Sequence, residues 1–502
     1  MDYLDPELKK RHTRQLFIGY GLMAVMIGLG TIILVLLAYG YTFDRSTRTV
    51  IQNGLLFVDT NPVTANVYLN GELRGRGSQR FVLPAGEYTI EIEEEGYLDW
   101  RKTFNLSGGS VERFAYPFLF PETANRATYR TFTEEPSFTS VSPDRRWLLL
   151  HETEQIDSFV LYDLRRQVNL PTFFTLPAGV FSMQPDSELE VVEWSNNNRH
   201  VIVKHQFGDN SEHILVDREV PSESQNLSDR FADTSFTDIS LIDKRFDSYH
   251  LFNRPTGELL QASLTEDDTT LLLEDVVTYR SHGTDVLLYV SSAQDEVLLD
   301  DQADEVVFSV MLYDDEETYR LSTAPQGEIG DYLLDIARFS GSWYVVVGDI
   351  AEQRAIIYEN PISAIRQDKQ PLPKFTLRTN DTPQRVSFSE NARNIMMQGG
   401  RYLAVYDLER ERGYQFEFGD DSAPRAYWMD GHRLLASWDD ALQVVDFDGE
   451  NRQTVTTCYD GYRPIFDTAF EYVYCLAPLA EGVDASGQFG RLLRSSLRAE
   501  DS

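Results

Sequence analysis

A repeat of short apolar runs between polar turns is the feature that most constrains how this chain can fold. Beyond Pro121 helical periodicity is scarce, and one clear copy of the repeat reads SFTSVSPDRRWLLLHETEQIDSFVLYDL. In that copy Ser142-Pro143-Asp144 turns the chain, and residues 147–150 and 159–164 form two apolar runs. Turns in the successive copies fall near Ser142, Ser195, Asp243, Gly283, Ser340, Ser389, Asp430 and Thr468. The intervals between them are roughly 38 to 57 residues.

Copies of this length, each with about four strands, are typical of a β-propeller, in which every copy forms one blade. Only its neighbours can cover the apolar face of a blade, so the array must close into a ring. Eight turns predict an all-β domain of eight blades over residues 126–498, with seven blades as the alternative. The last copy is one strand short, and we predict that residues 126–133 supply the missing strand from the other end of the domain.

Near the N-terminus, residues 16–41 contain no charged side chain. As a helix this stretch would be roughly 39 Å long, enough to cross a hydrocarbon core of about 30 Å. Lys9, Lys10, Arg11 and Arg14 precede it, and basic residues favour the cytoplasmic side of a membrane. We therefore predict a cytoplasmic tail at 1–15, a single-pass anchor in the cytoplasmic membrane at 16–43, and an extracytoplasmic remainder. The alternative is a cleaved signal peptide, whose apolar region usually has only about 7 to 15 residues.

Between the anchor and the repeats, residues 51–120 alternate apolar and polar side chains. In EYTIEIE, Tyr88, Ile90 and Ile92 face one way while the intervening residues face the other, which is typical of a half-buried antiparallel strand. Asn70-Gly71 is a strong hairpin signal, because both residues tolerate positive φ. These patterns predict a small β-sandwich.

Two stretches of this segment, GLLFVDTNPVTANVYLNG and LPAGEYTIEIEEEGY, resemble the PEGA domain family. That resemblance implies a β-sandwich of cell-envelope proteins, a binding or spacer module from which no catalytic residue carries over. Pro62-Val63-Thr64-Ala65 stands where the family has its name-giving tetrapeptide. In the repeats, SPDRRWLLL and LQVVDFDGENRQTV are similar to propeller repeats of the TolB and WD40-like bacterial type, which implies a fold and no chemistry.

Composition excludes some classes of protein and leaves one question open. Acidic residues number 80 against 45 Lys and Arg, and the formal net charge of −35 disfavours general nucleic-acid binding. The two cysteines, Cys458 and Cys475, exclude a disulfide-dense scaffold. Outside the cytoplasmic membrane they can form a disulfide if neighbouring strands bring them together. Two buried, unpaired cysteines are the alternative.

No nucleophile elbow, phosphate-binding loop or metalloprotease motif occurs in the sequence. His200 and His205 are expected on opposite faces of a strand, which argues against a shared metal. Asp446-x-Asp448-Gly-x-Asn451 suggests a calcium loop but lacks the remaining acidic ligands of an EF-hand. We therefore predict no catalytic residue and no resident metal or cofactor, with calcium as the weaker alternative.

Three arginines in the PEGA-like segment, Arg74, Arg76 and Arg80, are a candidate contact for an anionic wall polymer. The alternative is that they form a solvated hairpin tip. Taken together, the sequence predicts a non-enzymatic membrane protein of the cell envelope whose PEGA-like and propeller domains bind a protein or cell-wall glycan. The alternative is a propeller enzyme, a glycan hydrolase or lyase, with its site at the channel mouth.

Overall fold

The computed structural model describes residues 6–38, 40–44, 49–152, 155–166, 170–182, 187–266, 269–293, 307–325, 332–480 and 487–499. The chain divides into two compact units, Met1–Thr123 and Ala124–Ser502. The first contains a long helix and a small β-sandwich, and the second is built of strands arranged in sheets of four.

The first unit begins with helix α1 (Pro6–Ala38). Its segment Thr13–Ala38 is long and apolar enough to cross a membrane. The helix ends before the predicted limit at residue 43. The helix stops because Gly40 adopts a left-handed φ of 79° and strand β1 (Tyr41–Asp44) pairs with the following strand.

The β-sandwich has two four-stranded sheets, and the predicted fold of this segment is confirmed. Its remaining strands are β2 (Thr49–Val58), β3 (Asn66–Leu69), β4 (Glu72–Arg76), β5 (Gln79–Pro84), β6 (Gly86–Glu93), β7 (Trp100–Leu106) and β8 (Val111–Phe114). One sheet has the order β1-β2-β5 with β8 parallel to β2, and the other has the order β4-β3-β6-β7. Ile90 and Ile92 are buried between them, while Asn70 and Gly71 take positive φ at the β3–β4 hairpin.

The second unit contains eight four-stranded sheets in its described residues, which confirms the eight-bladed prediction. Blades 1 to 4 consist of β10–β13 (Phe138–Val141, Trp147–His151, Ser158–Asp163, Thr172–Thr175), β14–β17 (Ser187–Trp194, His200–Phe207, Asn210–Asp217, Gln225–Asn226), β18–β21 (Asp238–Leu241, Ser248–Asn253, Glu258–Ser263, Thr269–Leu273) and β22–β25 (Val276–His282, Val286–Ser291, Val307–Asp314, Glu317–Pro325). Short helices α2 (Leu227–Arg230) and α3 (Pro361–Ile365) follow strands of blades 2 and 5.

Blades 5 to 8 consist of β26–β29 (Tyr332–Phe339, Ser342–Asp349, Arg354–Glu359, Pro373–Arg378), β30–β33 (Arg385–Phe388, Asn394–Gly399, Tyr402–Asp407, Arg412–Glu417), β34–β37 (Tyr427–Trp428, Arg433–Trp438, Ala441–Asp446, Gln453–Thr457) and β38–β40 (Ile465–Phe466, Tyr472–Ala477, Gly490–Ser496) with β9 (Arg126–Phe132). All eight turns identified in the sequence lie between the first and second strand of a blade.

Strand β9 closes the ring, as the sequence predicts. It pairs antiparallel with β40, the last strand that the structure describes, so blade 8 takes its fourth strand from the start of the unit. Leu148 and Leu150 of blade 1 pack in one apolar cluster with Tyr474 and Leu476 of blade 8. The first and last blades are therefore neighbours.

Burial within the blades explains why the strands appear in the sequence as continuous apolar runs. Every residue of β23 is buried, and so is every residue of β31, because both faces of a second strand meet other blades. The blade contacts are apolar: Phe159 and Leu161 of blade 1, for example, cluster with Val201 and Val203 of blade 2. This packing fixes the first strand of each blade around the axis of the ring.

Candidate functional site

The first strands of the blades lie close to one another around the propeller axis. Neighbouring first strands contact each other in blades 1 to 3 and in blades 4 to 6. Side chains link them as well: Trp194 Nε1 donates to Ser140 Oγ at 2.9 Å, and Trp428 Nε1 donates to Ser387 O at 3.3 Å. Residues on and just before these strands are therefore placed to line the channel along the axis.

Three arginines of blades 6, 7 and 8 converge on one aromatic ring at this channel. The guanidinium carbons of Arg385, Arg425 and Arg463 lie 5.1, 5.3 and 5.4 Å from the ring centroid of Tyr427. We call these four residues the axial arginine cluster. Arg385 is half-buried and also donates from Nη1 to Ala426 O at 3.0 Å, whereas Arg425 and Arg463 keep more of their surface accessible to solvent.

The cluster arises from the repeat itself. In these three blades the backbone amides of Ser389, Met429 and Asp467 donate to the second strand at the first turn. Each arginine of the cluster lies four residues before that amide, so the three occupy the same position in successive blades. Blade packing then brings equivalent positions together around the axis.

Electrostatics within the cluster are unfavourable to the cations. Burial, together with the nearby charges of Arg425 and Arg463, lowers the pKa of Arg385 to about 10. The charges of Tyr427 and Asp335 oppose this shift. Burial also lowers the pKa of Arg463, with Arg145 and Arg425 adding to the effect. Among the residues that the structure describes, no carboxylate forms an ion pair with any of the three arginines. The cluster thus concentrates three cations without a direct ion-pair partner among the described residues, although the charges of Asp335 and Glu390 act on Arg385 and Arg463.

Arg145 lies at the end of the channel where the turns between first and second strands meet. It belongs to the first turn of blade 1, yet it pairs with Glu390 of blade 6 at 2.5 Å and donates to Met429 O of blade 7 at 3.2 Å. Its guanidinium carbon is also 4.5 Å from the ring centroid of Phe470 in blade 8. Arg145 is paired with Glu390, so it adds no unpaired cation to the axial arginine cluster.

Two acidic residues on first strands have structural partners. Asp335 accepts hydrogen bonds from the amides of Ile336 and Phe388, both at 2.9 Å, and so joins β26 to β30. Burial raises the pKa of its carboxyl, although both amides oppose that rise. Glu193 in β14 has the same arrangement, since it accepts from the amide of Leu241 and pairs with Lys244. Both carboxylates hold neighbouring blades together.

Among the described residues, cavities also lie between blades, and two of them are large enough to consider. One of about 370 Å³ lies among the first strands of blades 2 to 4, and its charged residues include Glu193, Lys244 and Arg280. The other, of about 320 Å³, lies between blades 4 and 5 and is lined by apolar side chains such as Trp343 and Ile362. Neither cavity contains several unpaired cations close together, so we favour the axial arginine cluster as the functional site.

The arginines singled out in the PEGA-like segment do not form one cluster. Arg74 pairs with Glu72 at 2.9 Å within β4, and Arg76 donates to Thr64 O at 2.8 Å. Arg80 lies in the other sheet, because the chain crosses between sheets after β4. There its guanidinium carbon is 5.5 Å from the ring centroid of Phe57.

The cysteines and the candidate calcium loop have defined environments. Cys458 and Cys475 are buried and joined as a disulfide between blades 7 and 8, with Cα atoms 5.2 Å apart.

In the candidate calcium loop, the Asp446 carboxylate accepts from Asn451 Nδ2 at 2.9 Å, and Asp448 Oδ1 accepts from the amide of Glu450 at 3.2 Å. The loop is therefore a tight turn between β36 and β37. In the described part of the chain no group of three His, Cys, Asp or Glu side chains is arranged to hold a metal.

Sequence reasoning missed the axial arginine cluster. The signal is present, because three copies of the repeat open with the same residue: RVSFS from Arg385, RAYWM from Arg425 and RPIFD from Arg463. It is easily overlooked, since Arg is a common residue and the copies otherwise share only an aromatic residue in the fourth position. Only the closed ring shows that the three side chains meet.

Comparisons with known proteins support one domain. No curated protein matches the chain in sequence. Among solved structures, the dihydro-heme d1 dehydrogenase NirN in complex with DHE is 14% identical, covers 66% of this chain and 67% of its own, and has a TM-score of 0.41. An oligogalacturonate lyase in complex with manganese is 8% identical, with coverages of 75% and 98% and a TM-score of 0.38. Porphyromonas gingivalis dipeptidyl peptidase 4 is 11% identical, with coverages of 70% and 57% and a TM-score of 0.44. Residues 53–118 match the PEGA domain family, and the chain therefore contains a PEGA domain.

Proposed function

We propose that this protein is a membrane-tethered, non-enzymatic binding protein of the cell envelope whose propeller binds an anionic ligand at the axial arginine cluster. The observation that carries this proposal is the convergence of Arg385, Arg425 and Arg463 on Tyr427 without an ion-pair partner among the described residues. A guanidinium presents planar, forked donors that match a carboxylate or phosphate, which makes arginine the preferred residue for such groups.

The charge distribution supports an anionic ligand. The chain as a whole has a net charge of −35, so a cationic patch at the axis is opposite in sign to the protein around it. Burial lowers the pKa of Arg385 and repulsion by Arg425 and Arg463 adds to the shift, so a bound anion would relieve that repulsion. A concave site lined by one sign of charge also concentrates the field and attracts ligands of the opposite sign.

The geometry favours binding over catalysis. Cleavage of a glycan requires a general acid and a base or nucleophile positioned at the bound sugar. Asp335 and Glu193 are both engaged with backbone amides of the next blade, so neither is free to serve in that role. The cluster itself consists of cations and one phenol, which suits recognition of an acidic glycan or an acidic protein segment.

Binding of charged probes tests the proposal. The full chain in nanodiscs would be titrated with an alginate oligomer, which carries carboxylates, and with tripolyphosphate. We expect the double variant Arg425→Gln/Arg463→Gln to bind at least one of these probes more than tenfold more weakly, because each good charge-assisted contact is worth roughly 1.5–3 kcal/mol. The wild-type affinity should also fall as salt is raised.

Arg412→Gln is the matched control. Arg412 lies on the last strand of blade 6, and its guanidinium carbon is 5.3 Å from the Tyr414 ring, the same distance as Arg425 from Tyr427. Its loss removes an arginine–tyrosine contact away from the axis and should leave binding unchanged. If the wild type bound neither probe, or if the control and the double variant lost affinity equally, the proposed function would be wrong.

A further inference from the structure

One exposed face of the PEGA domain carries an ordered set of side chains across three strands. Phe57 of β2 is paired with Arg80 of β5 on one side and with Arg113 of β8 on the other. Two residues earlier on β2, Leu55 is paired in the same way with Val82 and Val111. The register therefore places an aromatic residue between two arginines next to a row of three aliphatic residues. We call this surface the Phe57 face.

The Phe57 face is exposed and its cations are unpaired. The guanidinium carbons of Arg80 and Arg113 lie 5.5 and 5.3 Å from the Phe57 ring centroid. Val82 and Val111 each expose 59% of their surface, which is unusual for two valines in one row. Neither arginine forms an ion pair with a described residue. The face thus combines an apolar strip, an aromatic ring and two free cations.

Chain connectivity places this face next to the end of the apolar helix. α1 ends at Ala38, and the carbonyl of Gly40 accepts a hydrogen bond from the amide of Asn53 at 2.9 Å. Leu55 is only two residues further along β2, about 7 Å away at the rise of a strand. The aliphatic row therefore begins within a short distance of the point where the chain leaves the helix.

We propose that the Phe57 face rests on the surface of the bilayer that α1 spans, with Val82 and Val111 at the interface and Arg80 and Arg113 on lipid phosphates. Aromatic and basic side chains beside an apolar strip are the composition of membrane-surface contacts. Two local cations also offset the repulsion between an anionic lipid surface and a strongly acidic protein. The proposal rests on the proposed membrane anchoring and is independent of the axial ligand.

A lipid surface fits this face better than a glycan. Sugar rings bind proteins largely by stacking on an open aromatic ring, but the Phe57 ring has a guanidinium on each side. The face is also part of an open sheet, and its aliphatic row offers no polar group to hydroxyls. Phosphates of lipid headgroups can reach both arginines while the valines meet the apolar boundary.

Fluorescent labels at single introduced cysteines test the contact in the full chain. Val82→Cys and Val111→Cys would be labelled with an environment-sensitive dye, and the protein placed in nanodiscs containing phosphatidylglycerol. Asn105→Cys is the matched control, since Asn105 is an exposed strand residue of the opposite sheet. We expect blue-shifted emission and quenching by shallow spin-labelled lipid at positions 82 and 111, and neither at position 105. Adding Arg80→Gln and Arg113→Gln should reduce the quenching at least twofold.

Three results would overturn the proposal. The first is equal quenching at positions 82, 111 and 105, and the second is quenching that Arg80→Gln and Arg113→Gln leave unchanged. The third is protection of the labels by soluble alginate instead of by the bilayer. The last result would identify a glycan surface. The axial variant Arg425→Gln/Arg463→Gln should keep the lipid quenching, so failure of the proposed ligand site leaves this test intact. Flotation of the labelled protein with its nanodiscs verifies the anchoring separately.

Discussion

At the scale of single residues, a recurrent Arg–Asp pair fastens the blades. Arg146 pairs with Asp163 in blade 1, and Arg199 pairs with Asp217 in blade 2. In blade 6 Arg393 reaches Asp407, whose side chain is completely buried. In each case the arginine precedes the second strand and the aspartate ends the third, so the pair closes the same hairpin. These charges stabilise the fold, in contrast to the unpaired arginines at the axis.

Arg393 allows a direct comparison of a buried and an exposed ion pair. Its guanidinium contacts Asp407, which is 0% exposed, and Glu409, which is 61% exposed. We expect Asp407→Ala to lower the free energy of unfolding by about 3–5 kcal/mol, because it leaves Arg393 without its buried partner. Glu409→Ala should cost no more than about 1 kcal/mol. Urea unfolding of both variants measures the difference, and equal losses would contradict this account.

The aspartates of these pairs also predict an acid limit on stability. Burial favours the neutral form of Asp217, but the Arg199 guanidinium and the amides of Val220 and Glu219 outweigh it and lower the pKa. The pKa of Asp163 is lowered for the same reasons, with Arg146 as partner. A lowered pKa adds stability above the unfolded value of about 3.9, and that stability is lost as the pH falls below it.

We therefore expect the urea concentration at the midpoint of unfolding to decrease as the pH is lowered from 7 to 3. Asp217→Asn should make this decrease smaller, because it lowers stability at pH 7 alone. Asp421→Asn is the control, because the Asp421 side chain is 99% exposed and should leave the pH profile as it is. A profile that Asp217→Asn does not flatten would count against a contribution from this pair.

At the scale of elements, strand β9 holds the ring closed. It pairs along its length with β40, and Phe132 at its end is buried in the cluster between blades 8 and 1. A chain that begins at Glu134 lacks this strand, while a chain that begins at Ala124 keeps it. We expect the shorter chain to unfold at a temperature lower by roughly 5 °C or more, measured by calorimetry, because a four-stranded blade becomes three-stranded. Equal unfolding temperatures would mean that β9 does not close the ring.

A second link, between the last two blades, is the disulfide between Cys458 and Cys475. The cysteines are 17 residues apart, so the bond closes a loop for which the expected stabilisation is about 3 kcal/mol. We expect no free thiol in the denatured, unreduced protein and a lower urea midpoint after reduction. The double variant Cys458→Ser/Cys475→Ser should not respond to reductant. Two free thiols in the unreduced protein would show that the cysteines are unpaired.

At the scale of the whole molecule, one apolar helix is expected to tether everything that follows it. The segment Thr13–Ala38 has the length and hydropathy of a membrane span. We expect the full chain to stay with membranes through alkaline carbonate washing, and a chain that begins at Gly40 to be released. Intact mass of the membrane-bound protein checks that the helix is retained. A mass that lacks the first 38 residues would identify a cleaved signal peptide.

The sequence predicted the architecture well because the blades and the β-sandwich leave regular patterns in it: turns at repeated intervals and alternating apolar and polar residues. The eight turns, the missing strand of the last blade and the β-sandwich at 51–120 follow from spacing and alternation. The end of α1 was predicted too late, because a left-handed Gly40 and the pairing of Tyr41 with Gln52 depend on tertiary contacts. The axial arginine cluster was not predicted, because it too depends on tertiary contacts. Arg385, Arg425 and Arg463 are far apart in sequence, and only the closed ring brings them to Tyr427.

The position of β9 has a mechanical consequence. The propeller is joined to the PEGA domain by the few residues that precede Arg126, and β9 begins at that residue. Any pull between a tethered N-terminus and a ligand held on the propeller therefore loads the β9–β40 seam first. The seven residues of β9 are held by antiparallel backbone hydrogen bonds to β40. A force applied from the N-terminal side therefore acts on this strand pair before it acts on any other blade. The pairing that completes the fold is thus also the first to carry such a force, and a sufficient force would open the ring there.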